Sequence, residues 1–185
     1  HSDTRYPAGS RVLEAGCGVG AQTVILAANN PDAHITSVDI SEASVAAARE
    51  TVAAAGFSNV VFRQADIFQL PFDPASFDHV FVCFVLEHLS NPVAALNALK
   101  KVLKPGGTFT VIEGDHGSAY YHPASDYAQR AIHCQVALQA QAGGNALIGR
   151  QLYPLLTEAG LAGVQVSPRM VYVDSSRPQL VEGFT

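Results

Sequence analysis

The chain has 185 residues and 19.5 kDa, which at about 150 residues per domain leaves room for one domain and a small appendage. Hydrophobic residues supply 48% and charged residues 15%, the balance of a packed core, and the 15 Gly and 10 Pro follow no short period, so a disordered tail, a collagen and a solenoid are excluded. The formal charge is −5 with no basic stripe, which gives a nucleic acid nothing to hold.

Residues 11–15 (RVLEA) form a short apolar run closed by Gly16, as a strand buried on both faces does. A helix over 20–30 follows and Pro31-Asp32 breaks it. Residues 35–38 give a second strand. Ser41 can then N-cap a helix with Val45, Ala48 and Val52 on one face, ended by Gly56. Residues 59–64 (NVVFRQ) make a third strand and 77–84 (FDHVFVCF) a fourth. Asn91-Pro92 opens a helix carrying Val93, Leu96, Leu99 and Leu103, which Pro105-Gly106-Gly107 stops before a fifth strand over 108–112. This alternation predicts an α/β fold with a mainly parallel sheet covered on both faces and ligands at the carboxyl ends of its strands.

From Gly117 to Gly144 the pattern turns aromatic, Gln-rich and Ala-rich, a helical insertion over the site. A helix over 147–159 ends at Gly160, and 164–173 (VQVSPRMVYV) is a late strand, edge-like or bulged because Pro168 interrupts it. The tail 175–185 has no assignment. The divisions are a core over 10–114, an insertion over 115–146, a helix and strand over 147–174, and the tail, all within one domain.

Cys17, Cys83 and Cys134 are odd in number, far apart and without a C-x-x-C pair, which fits a reducing cytosol. Apolar stretches fall short of the ~20 residues of a membrane helix and no signal peptide opens the chain, so a cytoplasmic protein without membrane insertion is expected. The chain begins at His1 without an initiator Met and closes at Thr185 soon after a helix start, as a fragment would.

Glycines at 16, 18 and 20 let the backbone turn sharply and a ligand approach closely. With Ala21 they also satisfy the loose dinucleotide pattern G-x-G-x-x-G/A, so a nicotinamide or flavin enzyme stays open here. Asp39 ends the second strand, where an acid can accept both hydroxyl protons of a ribose. Asp66 ends the third, where a carboxylate can accept from an adenine amine, with Ile67 and Ile40 placed to sandwich a flat base. Each Asp alone is as well explained as a loop acid or a cap; three sites at three consecutive strand ends are not.

Five segments, VLEAGCGVG (12–20), VDIS (38–41), QADIFQLPF (64–72), FDHVFVCFVLEHL (77–89) and LKPGGTFTVIE (103–113), together resemble the class I S-adenosylmethionine-dependent methyltransferases, in the small-molecule group similar to ubiquinone and menaquinone biosynthesis enzymes. The resemblance implies a Rossmann-like doubly wound sheet of order 3-2-1-4-5 with the late strand at its edge. It implies S-adenosyl-L-methionine as cofactor: Glu14 for the methionine ammonium, Gly16, Cys17, Gly18 and Gly20 beneath the methionine part, Gln22 beside them, Asp39 on the ribose, Ile40, Asp66 and Ile67 on adenine, and Phe84 and Val85 at the methionine end. That cofactor is a cation, so acidic side chains suit it, and no Lys or Arg lies between Val12 and His34.

Methyl transfer from a sulfonium needs the acceptor aligned and water excluded; an acceptor that must lose a proton also needs a base. His88, Glu113 and His116 follow the fourth and fifth strands and are the candidates, although His88 can equally pack the cofactor floor. Asp115, His116, His122, Asp126 and His133 match no zinc spacing, and no metal is expected. The insertion offers Tyr120, Tyr121, Tyr127, His133 and Arg150 to a small-molecule acceptor, with core packing as the plainer explanation of the aromatics and a surface ion pair that of Arg150. The family's helix before the first strand and its seventh strand are not evident, so for a complete chain an open pocket and an uncovered sheet edge, which invites a second copy, are expected. An NAD(P)-dependent oxidoreductase and a non-catalytic nucleoside-binding or assembly module are the competing readings.

Overall fold

The computed structural model describes residues 4–184. Strands β1 (Arg11–Ala15), β2 (His34–Asp39), β3 (Val60–Gln64), β4 (Phe77–Cys83) and β5 (Leu103–Ile112) alternate with helices α1 (Ala21–Asn29), α2 (Glu42–Ala54) and α3 (Pro92–Val102), and α4 (Asp126–Gln141), α5 (Leu152–Glu158) and α6 (Pro178–Phe184) follow. Every strand pair is parallel and the order is β3-β2-β1-β4-β5. The order reverses between β1 and β4, and a sheet of this kind opens its ligand crevice at that point, beyond the carboxyl ends of the strands.

The central strand explains itself by burial. Val12 and Leu13 point to opposite faces and are both fully buried. Leu13 joins Val80, Val82, Leu96, Leu99, Leu152 and Leu156 beneath α3 and α5, whereas Val12 joins Leu26, Ala27, Ile35 and Phe81 beneath α1. Val45, Ala48 and Val52 of α2 pack on Phe62 and Cys17, the one face expected of them. The Ser41 hydroxyl accepts from the Ser44 N–H at 3.2 Å, so it satisfies one orphan donor at the start of α2. Ser41→Ala is expected to cost about 1 kcal/mol, read as a lower urea midpoint at unchanged slope.

Three segments depart from expectation. The fifth strand starts at Leu103 rather than at 108: Leu103 pairs with Phe77 and Thr108 with His79, so Lys104–Gly107 bulges between them. Pro105 has no N–H to give the ladder, Gly106 takes φ +78°, and a Cβ on Gly107 would meet the Asp78 carbonyl at 2.6 Å, which together make the bulge local to these residues. The helix over 147–159 is a 3₁₀ turn at Ile148–Gln151 followed by α5, which places Pro154 in the first α turn, where a missing N–H costs little. The late edge strand is a correction: among the described residues 164–173 pairs with no strand, and Val166, Met170, Val171 and Tyr172 are exposed. Pro168 removes a ladder donor from its middle. The unassigned tail forms α6, and Asp174 Oδ1 accepts from the N–H and hydroxyl of Ser176 just before it.

The insertion is built from a 3₁₀ turn at His116–Ser118 and α4. Among the described residues no helix is long and apolar enough to cross a membrane.

Candidate active site

The chain leaves β1 through a loop stitched to β2. The N–H groups of Gly16 and Cys17 both donate to the Val38 carbonyl, at 2.8 and 3.0 Å. The Gly18 N–H donates to Asp39 Oδ2 and the Ser41 N–H to Asp39 Oδ1, each at 2.9 Å. Asp39 therefore orders the glycine loop while each carboxylate oxygen keeps a lone pair for a hydroxyl donor. Gly18 has φ +50° and nothing within 4 Å of where a Cβ would stand, so a partner can approach its backbone.

Next along the sheet edge, the Ala65 N–H donates to the Asp39 carbonyl at 2.9 Å, which sets Asp66 beside the end of β2. Asp66 Oδ1 accepts from the Phe68 N–H at 2.8 Å. Ile67 packs against the core, whereas Ile40 is 68% exposed, an apolar surface beside the loop that solvent would not select.

Glu14 is the costly residue of the site. It is 2% exposed, and the Ser37 hydroxyl donates to its Oε2 at 2.5 Å. Burial raises its carboxyl above the usual range against that bond. Thr23, fully buried on α1 beside the same carboxyl, has an Oγ1 with no hydrogen bond of good geometry. Burial, then Glu14 and Asp39, push the Cys17 thiol up to about 12, which makes it a neutral packing group. Gln22 is half-buried in the first turn of α1.

Beyond β4 the chain turns at Phe84, which takes φ +55° and is 46% exposed. Val85 then lies on the glycine loop: a Cβ on Gly16 would be 2.4 Å from its Cγ2. The Glu113 carboxylate, from the end of β5, accepts the N–H groups of Val85 (3.0 Å), Leu86 (2.8 Å) and Glu87 (3.3 Å). Burial pushes Glu113 up to about 7 in spite of those three donors. The Glu87 side chain is buried between two imidazoles, with Oε2 3.3 Å from His116 Nε2 and Oε1 3.5 Å from His88 Nε2. Gln135 of α4 donates to His116 Nδ1 at 3.2 Å, so the proton of the neutral ring sits on Nε2 and is directed at Glu87.

The candidates on the insertion divide into two groups. Arg150 is paired with Asp115, Nε to both carboxylate oxygens and Nη2 to Oδ1 at 2.7 Å. Burial works against the charged form of Asp115, yet Arg150 holds it below the usual carboxylate range. The surface pair, rather than a clamp on substrate, thus describes Arg150 in this structure. Tyr120 and Tyr121 line a cleft of about 280 Å³ with Ser125, Asp126 and Gln129. Gln129 accepts from the Tyr121 hydroxyl at 3.0 Å and also meets His133 Nε2 at 3.0 Å, whereas Tyr120 and Tyr127 are both largely exposed. The structure therefore gathers His88, His116 and Glu113 around Glu87, links Tyr121 to His133 through Gln129, and sets Tyr120 beside Tyr121 in the cleft. The burial of Glu87 itself was signalled only by an acid-imidazole pair directly after a densely apolar strand.

A family model described as a methyltransferase domain matches residues 7–160. The chain belongs to the class I S-adenosylmethionine-dependent methyltransferases. It is 34% identical over 148 residues to an uncharacterized methyltransferase of Schizosaccharomyces pombe, covering 77% of this chain and 53% of that one. It is 39% identical over 106 residues to the demethylmenaquinone methyltransferase of Clavibacter sepedonicus, covering 57% and 42%. The chain thus spans about half the length of these curated relatives. A S-adenosylmethionine-dependent methyltransferase from Aquifex aeolicus shares the fold, with TM-score 0.63 at 21% identity over 87% of this chain and 75% of that one.

Membership of this methyltransferase family decides between the two cofactors that the glycine pattern left open, in favour of S-adenosylmethionine. The residues fit it. The approach to the Gly18 backbone is open, the buried Glu14 and Thr23 flank the same loop, and the charged side chains of the strand ends are carboxylates, as a cationic ligand requires.

Proposed function

We propose that this protein transfers a methyl group from S-adenosylmethionine to a small-molecule acceptor. The observation that carries the reading is Asp39, which holds the Gly18 N–H with one oxygen and the Ser41 N–H with the other beside an unobstructed Gly18. The cofactor, when bound, supplies an activated methyl group and its own leaving group. The chain supplies the rest. Asp39 accepts the ribose hydroxyls, Asp66 the adenine amine against Ile40 and Ile67, and Glu14 offsets the positive charge. The methionine end meets Gly16, Cys17, Gly20 and Gln22 on one side and the backbone of Phe84 and Val85 on the other. Acceptor contacts are assigned to Tyr120, Tyr121 and His133, and α4 with its loops excludes water. For an acceptor that must lose a proton, His88, oriented by Glu87, is the group to receive it, because both ring nitrogens of His116 are engaged, one by Glu87 and the other by Gln135.

The small-molecule class is supported by the absence of a basic stripe and by the relative named for demethylmenaquinone, and three free cysteines suit the cytosol. Titration calorimetry with S-adenosylmethionine, S-adenosylhomocysteine and NAD tests the cofactor, and turnover against a panel of phenols, quinols and amines tests the acceptor. Tight NAD binding without a response to S-adenosylhomocysteine overturns the first. Asp39→Asn is expected to weaken S-adenosylhomocysteine at least tenfold, about 1.4 kcal/mol, since the amide cannot accept on both sides; equal affinity would remove Asp39 from the site.

A further inference from the structure

The turn after β4 meets the rest of the protein on three sides. Val85 lies against Gly16 so tightly that no side chain could stand there. The Glu87 carbonyl accepts the Asn145 N–H at 2.7 Å and Gln139 Nε2 at 2.9 Å, which fastens the far end of α4 to the same turn. Leu86 is fully buried in the core. The turn begins at Phe84 with a positive φ that a bulky side chain rarely adopts, so it does not hold itself in place. Three consecutive N–H groups, of Val85, Leu86 and Glu87, point inward and would be orphaned donors without a partner. Glu113 satisfies all three.

We propose that Glu113 is a positioning residue: its carboxylate clamps the 84–87 turn, sets Val85 against the glycine loop, and thereby ties the insertion helix α4 to the floor of the cofactor site. The proposal rests on the cofactor reading above. It assigns Glu113 away from the acceptor, because both of its oxygens face backbone donors. The clamp is strongest when the carboxyl is ionised, since protonation turns one acceptor oxygen into a competing donor. With Glu113 pushed up to about 7 by burial, the clamp loosens just below neutral pH. Other ionisable groups face the turn. Glu87 belongs to it, His88 and His116 lie against Glu87, the Asp115 to Arg150 pair follows β5, and the Cys83 thiol, pushed up to about 12 by burial, stays neutral.

Because those imidazoles also bear on the turn, the test reads the amides directly. In a pH titration of the protein labelled with carbon-13 and nitrogen-15, the amide signals of Val85, Leu86 and Glu87 are expected to move together with the side-chain carboxyl carbon of Glu113, and to lose that titration in Glu113→Gln. In calorimetry with S-adenosylhomocysteine, Glu113→Ala is expected to weaken binding at least tenfold. Glu113→Gln should weaken it less, because one oxygen remains for Val85 and Leu86. Wild-type affinity should fall from pH 8 to pH 6 and that of Glu113→Gln should lose this dependence. A merely structural role would lower the melting temperature and leave the affinity and its pH profile alone. Amides that do not follow the Glu113 carboxyl, or unchanged affinity in both variants, overturn the proposal. If the variants do not fold, the wild-type amide titration decides it. A wild-type protein that binds no S-adenosylhomocysteine would end the cofactor reading, while the amide titration would still judge the clamp.

Discussion

Replacing Glu14 by Gln is expected to make the free protein more stable and its complex with S-adenosylmethionine weaker. Glu14 keeps a carboxyl in a site only 2% exposed, with the Ser37 hydroxyl as its close donor and Thr23 beside it. A buried charge so sparsely bonded is a net cost to the fold, and an amide of the same shape can both accept from Ser37 and donate to it. The gain is expected at about 1–3 kcal/mol, or roughly 2–10 °C in melting temperature. The pH dependence has a definite sign. Burial raises Glu14 above its ordinary 4.5, so the folded protein holds more protons than the unfolded one between the two values. The contribution of Glu14 to stability is fully present below 4.5 and is lost as pH rises through the folded value. Glu113, at about 7, acts with the same sign, so the wild-type minus Glu14→Gln difference is what isolates Glu14. Binding should move the opposite way, weakening at least tenfold, about 1.4 kcal/mol, because the cationic ligand loses its buried counter-charge. A variant that is less stable and binds equally well would make Glu14 an ordinary structural acid.

The strand ends were legible because a buried parallel strand announces itself as an apolar run with a Gly or Asp at its close. Leu13 to Gly16 and Val38 to Asp39 both read this way, Asp66 follows from its place just past β3 in the same alternation, and the neighbours in space follow from the doubly wound order. The cap at Ser41 was legible for a similar reason, since capping is set by residues three apart. Relations across long separations were not. Residues 164–173 carry the alternation of a strand, but a strand needs a neighbour with open donors, and Pro168 leaves this one short. Position alone put Glu113 at the rim of the pocket, yet the direction of its oxygens is decided by three N–H groups 26 to 28 residues earlier. Arg150 likewise had two outcomes until Asp115, 35 residues away, was found within 2.7 Å.

Gly18→Ala and Gly20→Val are expected to fail in different ways, and the contrast separates the part of the loop that serves the ligand from the part that serves the fold. At Gly20 the backbone has φ +87°, and a Cβ would stand 2.8 Å from Ala48 Cα, the main chain of α2, which cannot rotate aside. The left-handed conformation costs about 1–2 kcal/mol and the intrusion about 1–3 more, worse for a β-branched residue. Against a domain stability of about 5–15 kcal/mol this is a large share, and the melting temperature should drop by on the order of 10 °C or more. At Gly18 the φ of +50° suits a left-handed turn and a Cβ meets nothing within 4 Å. The fold should lose only about 1–2 kcal/mol there. The methyl group would nevertheless occupy the open approach to the loop, so S-adenosylhomocysteine should bind at least tenfold more weakly to a protein that still melts cooperatively within a few degrees of wild type. Calorimetry and thermal melts on both variants give the answer: normal affinity in Gly18→Ala would mean that the space above Gly18 is not where the cofactor lies, whatever Gly20→Val does to stability.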